Sequence, residues 1–209
     1  NTALMSFLYE INNGDDYQSV VETDAMLTYL AASTVMSNLD SYQGTLSHNY
    51  YLYEQDDKFQ IIPWDFNESF GTFTMGCGDV TELYIDEPTQ GALSERPLIA
   101  ALLSSDENLS SYHEIISNLI NGGDLDPDSV SESIESFEAL ISSAVANDPT
   151  AFYSVTQFEN GMEDLLTFAT DRAESVQDQL DGVVPASGDG SGFCADSGFP
   201  SGPPNGPGM

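Results

Sequence analysis

The residues best suited to chemistry fall between positions 38 and 71, NLDSYQGTLSHNYYLYEQDDKFQIIPWDFNESFG. Asp40 closes an apolar segment and opens a polar loop, a place from which a carboxylate can accept the proton of a hydroxyl nucleophile. Asn49 and Asp65 add an amide oxygen and a second carboxylate. A hard cation such as Mg²⁺ takes oxygen ligands, and one amide plus one carboxylate suits a centre whose remaining positions go to phosphate oxygens. We therefore read Asp40 as a general base and Asn49 and Asp65 as metal ligands. Asp65 directly follows the apolar run IIPW, where an acid has little use in packing. The competing reading of Asp40 is a turn residue that bonds its own backbone. His48 is read as an anchor of the loop through a backbone contact, and Asn67 and Glu68 either join the metal site or begin a solvated helix. Tyr50, Tyr51, Tyr53 and Trp64 are read as core and hairpin packing rather than as stacking surfaces.

These residues need elements to hold them. Residues 3–12 read as a short helix stopped at Asn13-Gly14. A longer helix runs from Ala25 to Leu39, capped by Thr23 or Asp24, with Leu27, Leu30, Ala31, Val35 and Met36 at helical spacing. Residues 49–66 switch to aromatic and β-branched positions on either side of the polar turn QDDK, which predicts a hairpin with Pro63 near the end of its second strand. Residues 71–94 carry turn formers without a period and hold Cys77. Further helices are expected from Pro97 to Leu103, from Asp106 or Glu107 to Ile120, and from Pro127, with Val130, Ile134, Phe137, Leu140, Ile141 and Val145 forming one stripe. Thr156, with Glu159 three residues on, is expected to cap a last helix ending at Leu180. After Pro185 the composition becomes Gly, Ser, Pro and Asp, so we divide the chain into a lobe, 1–185, and a tail, 186–209, whose Phe193, Phe199 and prolines are expected to rest on a groove of the lobe or on a neighbour. The fold class is α+β, mainly helical. Buried helix, acidic loop, hairpin, then an acid after a strand is the order of a protein-kinase-like C-lobe, with the β-hairpin carrying the metal-binding Asp65.

Composition bounds the partners. The 209 residues contain 35 Asp plus Glu against 3 Lys plus Arg, a formal charge of −32. Such a surface repels nucleic acid and anionic membranes. A 40% hydrophobic content with 11% aromatic residues separates the chain from acidic disordered proteins. No apolar run is long enough to span a bilayer. Cys77 and Cys194 allow either a disulfide in an exported protein or free thiols in a cytosolic one. The scarce cations Arg96 and Arg172 are expected to pair buried carboxylates rather than to touch phosphate. Asp124, Asp126 and Asp128 lack the glycine and closing glutamate of a calcium loop and read as a solvated helix start.

The text of the chain carries a resemblance. HNYYLY followed by IPWDFNESFG, then SERPLIAALL, NDPTAFYSVTQFE and RAESVQDQLDG, resembles the CotH kinase family, atypical secretory protein kinases similar to spore coat protein H. The resemblance covers roughly residues 5 to 185. It implies a protein-kinase-like fold, phosphate transfer from ATP to protein hydroxyls with Mg²⁺ or Mn²⁺, and an extracellular or cell-surface location. Within it, Asn38-Leu39-Asp40 matches the acidic loop, His48-Asn49 the His-Asn pair, and Trp64-Asp65 the Trp-Asp pair. The interval from Asp40 to Asn49 exceeds the roughly four residues common in kinases, and Asp65-Phe66-Asn67 has Asn in place of the usual Gly. Lys58, in the hairpin turn, is not suited to clamp phosphate. A lysine-bearing N-lobe is expected either upstream or not at all, the second case describing a catalytically inactive kinase-fold subunit with an extracellular structural or adhesion role.

Overall fold

The computed structural model describes residues 2–74 and 76–194. At its centre lies α2 (Thr23–Val35), whose residues TDAMLTYLAASTV are apolar or small on nearly every face and are therefore buried from Met26 to Leu27 and from Tyr29 to Ala31, with Ser33, Thr34 and Val35. Around it pack α1 (Thr2–Asn13) through Phe7 and Ile11, α3 (Pro97–Leu103) through Leu98, Ile99 and Leu102, and α4 (Asp106–Ile120) through Tyr112, Ile116 and Ile120. Strands β1 (Tyr50–Gln55) and β2 (Lys58–Pro63) form an antiparallel hairpin in which Tyr50 faces Pro63 and Gln55 faces Lys58. Asp56 and Asp57 both take positive φ, 55° and 65°, as a two-residue turn of this twist requires. Only one face of the hairpin meets the core, through Phe59 and Ile61, and Phe59 stacks at 4.7 Å on Phe7.

Two helices follow as an antiparallel pair, α5 (Pro127–Asn147) and α6 (Val155–Leu180). Asp126 caps α5 by accepting from the Asp128 amide, which explains that acid without a metal. The expected stripe along α5 is not a core stripe: Val130 is buried, but Phe137 and Leu140 are 63% and 76% exposed. Helix α6 begins on Ser154, whose side chain and Gln157 form a capping box. The predicted box on Thr156 and Glu159 has the same spacing two residues later. Similarly, α2 ends at Val35 rather than at Leu39, because Ser37 turns left-handed (φ 47°) and its hydroxyl bonds the Val80 carbonyl at 2.8 Å. Its first turn has no side-chain cap, so neither Thr23 nor Asp24 serves as one.

The two arginines depart from expectation in the same way. Arg172 is fully buried and donates to the carbonyls of Thr34 (3.0 Å), Val35 (3.4 Å), Thr81 (2.7 Å) and Leu83 (2.7 Å), with no carboxylate among these partners. Thr34 and Val35 lie at the end of α2, so the guanidinium occupies the negative pole of the central helix and satisfies carbonyls that have no helical partner. Burial draws its pKa down to about 9. Arg96 does the same for the next loop, donating to Tyr42 O at 2.7 Å and to the Gly44 carbonyl. A forked donor on few cations secures carbonyl groups that water cannot reach.

The composition change at Pro185 does not end the packing. Glu87, 3% exposed, accepts from the amides of Gly188 (2.9 Å), Gly190 (3.1 Å) and Gly192 (2.7 Å). Gly192 has φ 93°, and a Cβ there would meet the Gly91 backbone, so glycine is required. Phe193 lies edge-on to Tyr84 at 5.5 Å, and Cys194 forms a disulfide with Cys77, 117 residues away. Of the two thiol states the sequence allowed, the structure has the bonded one. Phe199, Pro203, Pro204 and Pro207 lie outside the described residues.

Candidate functional site

The loop between α2 and β1 brings Asp40, His48 and Asn49 together. Asp40 is 8% exposed. Its Oδ1 lies 2.9 Å from His48 Nε2, and its Oδ2 accepts at 2.8 Å from Asn49 Nδ2, which also donates to the Asp40 carbonyl at 3.0 Å. His48 thus reaches the carboxylate itself, not the backbone as the sequence reading had it. Asp40 is accordingly more than a turn residue bonding its own chain. Asn49 sits at φ 57°, a left-handed conformation that Asn tolerates better than most residues and that turns its amide back over the loop.

Asp65 arrives from the other side. The Trp64 amide donates to the Asn49 carbonyl at 3.1 Å, which seats the end of β2 beside the start of β1. Asp65 itself is left-handed (φ 57°, ψ 65°) and immediately precedes a 3₁₀ turn, Phe66–Glu68, without a side-chain cap bond to it. Phe70, also left-handed at φ 59°, donates its amide to Met36 O at 2.8 Å, so the segment after Asp65 folds back onto the end of α2. Non-glycine residues in this conformation cost about 1–3 kcal/mol each and tend to gather at functional sites. Asp40 and Asn49 are in direct contact, whereas Asp65 is joined to them through the backbone of Trp64 and Asn49. Asn67 and Glu68 bond each other at 3.1 Å. Among the described residues no group of three His, Cys, Asp or Glu side chains is placed to hold a metal.

The loop is not self-supporting. Ser41 donates to Asn38 O at 2.6 Å, Gln43 Nε2 donates to Thr34 Oγ1 at 3.0 Å and to Pro88 O at 2.8 Å, and Arg96 grips Tyr42 and Gly44. Tyr42 lies edge-on to Tyr50 at 5.6 Å, and burial pushes its pKa up to about 12. Sequence reasoning missed Gln43 as part of the site, and named His48 only as an anchor through a backbone contact, because neither lies on a periodic element. Their chemical type, at loop positions flanking an acid, was the only available signal.

Two surface features adjoin the site. Tyr51 and Trp64 are 58% and 57% exposed and meet edge-to-face at 5.6 Å on the outer face of the hairpin, together with exposed Tyr53. The core-packing role expected for them holds only for the contact between the two rings, since the hairpin buries its opposite face. A cleft of about 750 Å³ opens beyond Asp65, between Phe66 and Phe70 on one side and Phe152, Tyr153 and Phe158 of the α5–α6 pair on the other.

The lobe is thus built on a buried helix, with an acid–amide pair beyond its end and a second acid behind a hairpin. The family model for CotH kinase protein matches residues 1–176 of the 209. The chain belongs to the CotH kinase family. No curated protein matches it.

Proposed function

We propose that residues 1–185 are the C-lobe of a metal-dependent protein kinase that transfers phosphate from ATP to protein hydroxyl groups. The observation that carries the reading is the Asp40–Asn49 contact at 2.8 Å, with His48 at 2.9 Å on the other carboxylate oxygen. A carboxylate has about four lone-pair positions, so Asp40 retains capacity to accept the proton of an incoming hydroxyl. His48 and Asn49 orient it by holding one oxygen each. Because both amide hydrogens of Asn49 are given to Asp40, its Oδ1 is left for a cation. Asp65 is exposed and supplies hard oxygen donors. This donor set fits Mg²⁺ or Mn²⁺, held by Asn49 and Asp65. When bound, the metal offsets the charge of the transferring phosphate.

Lys58 is unsuited to clamp phosphate, since it pairs with Glu22 at 3.7 Å at the turn end of β2. The clamp is assigned to an N-lobe or to a neighbouring subunit. An extracellular or cell-surface location accords with the Cys77–Cys194 disulfide and with a charge of −32. No helix among the described residues is long and apolar enough to cross a membrane. A second reading, a catalytically inactive kinase-fold subunit with a structural or adhesion role, is favoured by one observation: both oxygens of Asp40 already have partners.

Phosphate transfer from γ-labelled ATP to a protein acceptor, with Mg²⁺ or Mn²⁺, decides between them. The kinase reading expects transfer that Asp40→Asn and Asp65→Asn each abolish. In parallel, paramagnetic Mn²⁺ should broaden the His48 ring signals and spare those of His113. Absence of both transfer and broadening sinks the kinase reading and leaves the structural one.

A further inference from the structure

We propose that Gln90 is the positioning residue of this site, holding the loop that carries Asp40, His48 and Asn49 in register with the disulfide-anchored segment 192–194. Gln90 is 4% exposed, so each of its polar groups needs a partner, and the partners lie on two different parts of the chain. Toward the loop, its Oε1 accepts from both the amide and the hydroxyl of Thr45, each at 2.7 Å, and its backbone amide donates to Gln43 O at 3.1 Å. Toward the C-terminal segment, its carbonyl accepts from the Cys194 amide at 3.1 Å, and its Nε2 lies 3.5 Å from Cys77 Sγ. One side chain therefore touches both the disulfide and a residue three positions before His48.

The loop requires such a holder. Its own backbone contacts, Gly44 to Ser41 and Ser47 to Gly44, are long at 3.3 Å, and Ser47 is left-handed at φ 48°. The short pair of bonds at Thr45 restrains the loop just upstream of His48, and the Trp64 amide, 3.1 Å from the Asn49 carbonyl, restrains it downstream. Arg96 holds the loop further upstream, at Tyr42 and Gly44. Sulfur is a weak acceptor, so the Nε2 contact contributes orientation more than energy. It directs the carboxamide so that Oε1, and not Nε2, meets Thr45. Phe193 N bonds Thr89 O at 2.9 Å, which fixes the residue preceding Gln90 to the same segment. The segment is in turn held by Glu87 and by the disulfide. That the loop is catalytic rests on the proposed kinase function; that Gln90 positions it does not.

The chain has two histidines, His48 and His113, which permits a direct test. Histidine-labelled full-length protein is examined by ¹H–¹³C NMR at one fixed pH. The Asp40→Asn protein marks where the His48 ring signal falls once its partner carboxylate is gone. In Gln90→Met, of similar length but without the acceptor, the His48 signal should move toward that mark. The His113 signal, set by Asp86 at 2.6 Å, should stay at its native position. Gln90→Glu, which keeps an acceptor for Thr45, should recover most of the shift. Reduction of the disulfide in the wild-type protein should produce a smaller change in the same direction. A His48 signal in Gln90→Met that coincides with the wild type overturns the proposal. If both histidines move, Thr45→Val, which removes only the hydroxyl bond, is judged by the same criterion. Where phosphate transfer is measurable, Gln90→Met should lower kcat about tenfold with KM for ATP unchanged. A chain without transfer that still shows the His48 response retains the positioning role and loses the kinase reading.

Discussion

Two buried carboxylates in this molecule, neither paired with Lys or Arg, are held in opposite ways. Glu87 receives three backbone amides, from Gly188, Gly190 and Gly192. Asp40 receives two side chains, His48 and Asn49, and its own carbonyl shares the second of these. Backbone donors cannot swing away without unfolding their segment, so Glu87 is a fixed fastening. Side-chain donors can exchange for a substrate or a cation at the cost of a rotamer change. The first arrangement secures a glycine-rich segment that has no apolar area to hold itself. The second holds an acid by donors that can exchange, which the role proposed for Asp40 requires.

The comparison can be broken most severely at the disulfide. Reducing Cys77–Cys194 frees a closed loop of more than a hundred residues, and stability should fall by about 4–5 kcal/mol, read from denaturant unfolding with and without reductant. A loss below about 1 kcal/mol would show that Glu87 and the backbone bonds to Thr89 and Gln90 hold the segment without the disulfide. Next, Glu87→Ala leaves three amides without their acceptor, that of Gly192 buried, and should cost about 2 kcal/mol, with earlier hydrogen exchange at Gly188, Gly190 and Gly192. Asp40→Asn should do the reverse: stability within about 1 kcal/mol of the wild type, but phosphate transfer down at least about 100-fold. Were Asp40→Asn to destabilise as much as Glu87→Ala, the two acids would have one role and the functional distinction would fail. The smallest effect is expected on α5, where Phe137→Ser, at a position 63% exposed, should change stability by less than about 0.5 kcal/mol. A loss of several times that would mean that α5 is covered by a partner in solution.

Periodicity and turn chemistry carried much of the architecture. The central helix, the hairpin with its Asp56-Asp57 turn, the Pro97 and Pro127 helix starts and the long final helix are all local consequences of side-chain spacing. Where local signals were duplicated, only packing could choose: Ser154 and Thr156 both begin a capping-box pattern, and the chain uses Ser154. The α5 stripe shows the limit from another side. Spacing reports that residues share a face, but whether another element covers that face depends on where the neighbouring elements go.

The candidate site divides along the same line. Residue type and order were enough to single out Asp40, Asn49 and Asp65, because oxygen chemistry is a property of the side chains and the acid after IIPW stands out against an apolar background. Which of them touch is a matter of left-handed backbone at Asn49 and Asp65 and of a Trp64–Asn49 hydrogen bond, none of which has a one-dimensional signature. The partners of Arg172 and Gln90 were beyond reach for a related reason. Arg172 reaches Thr34 and Val35 across more than 130 residues, and Gln90 reaches Thr45 across 45. Buried polar groups take whatever partner the packed interior places within hydrogen-bond distance, so their bonds follow from the three-dimensional arrangement and not from neighbours along the chain.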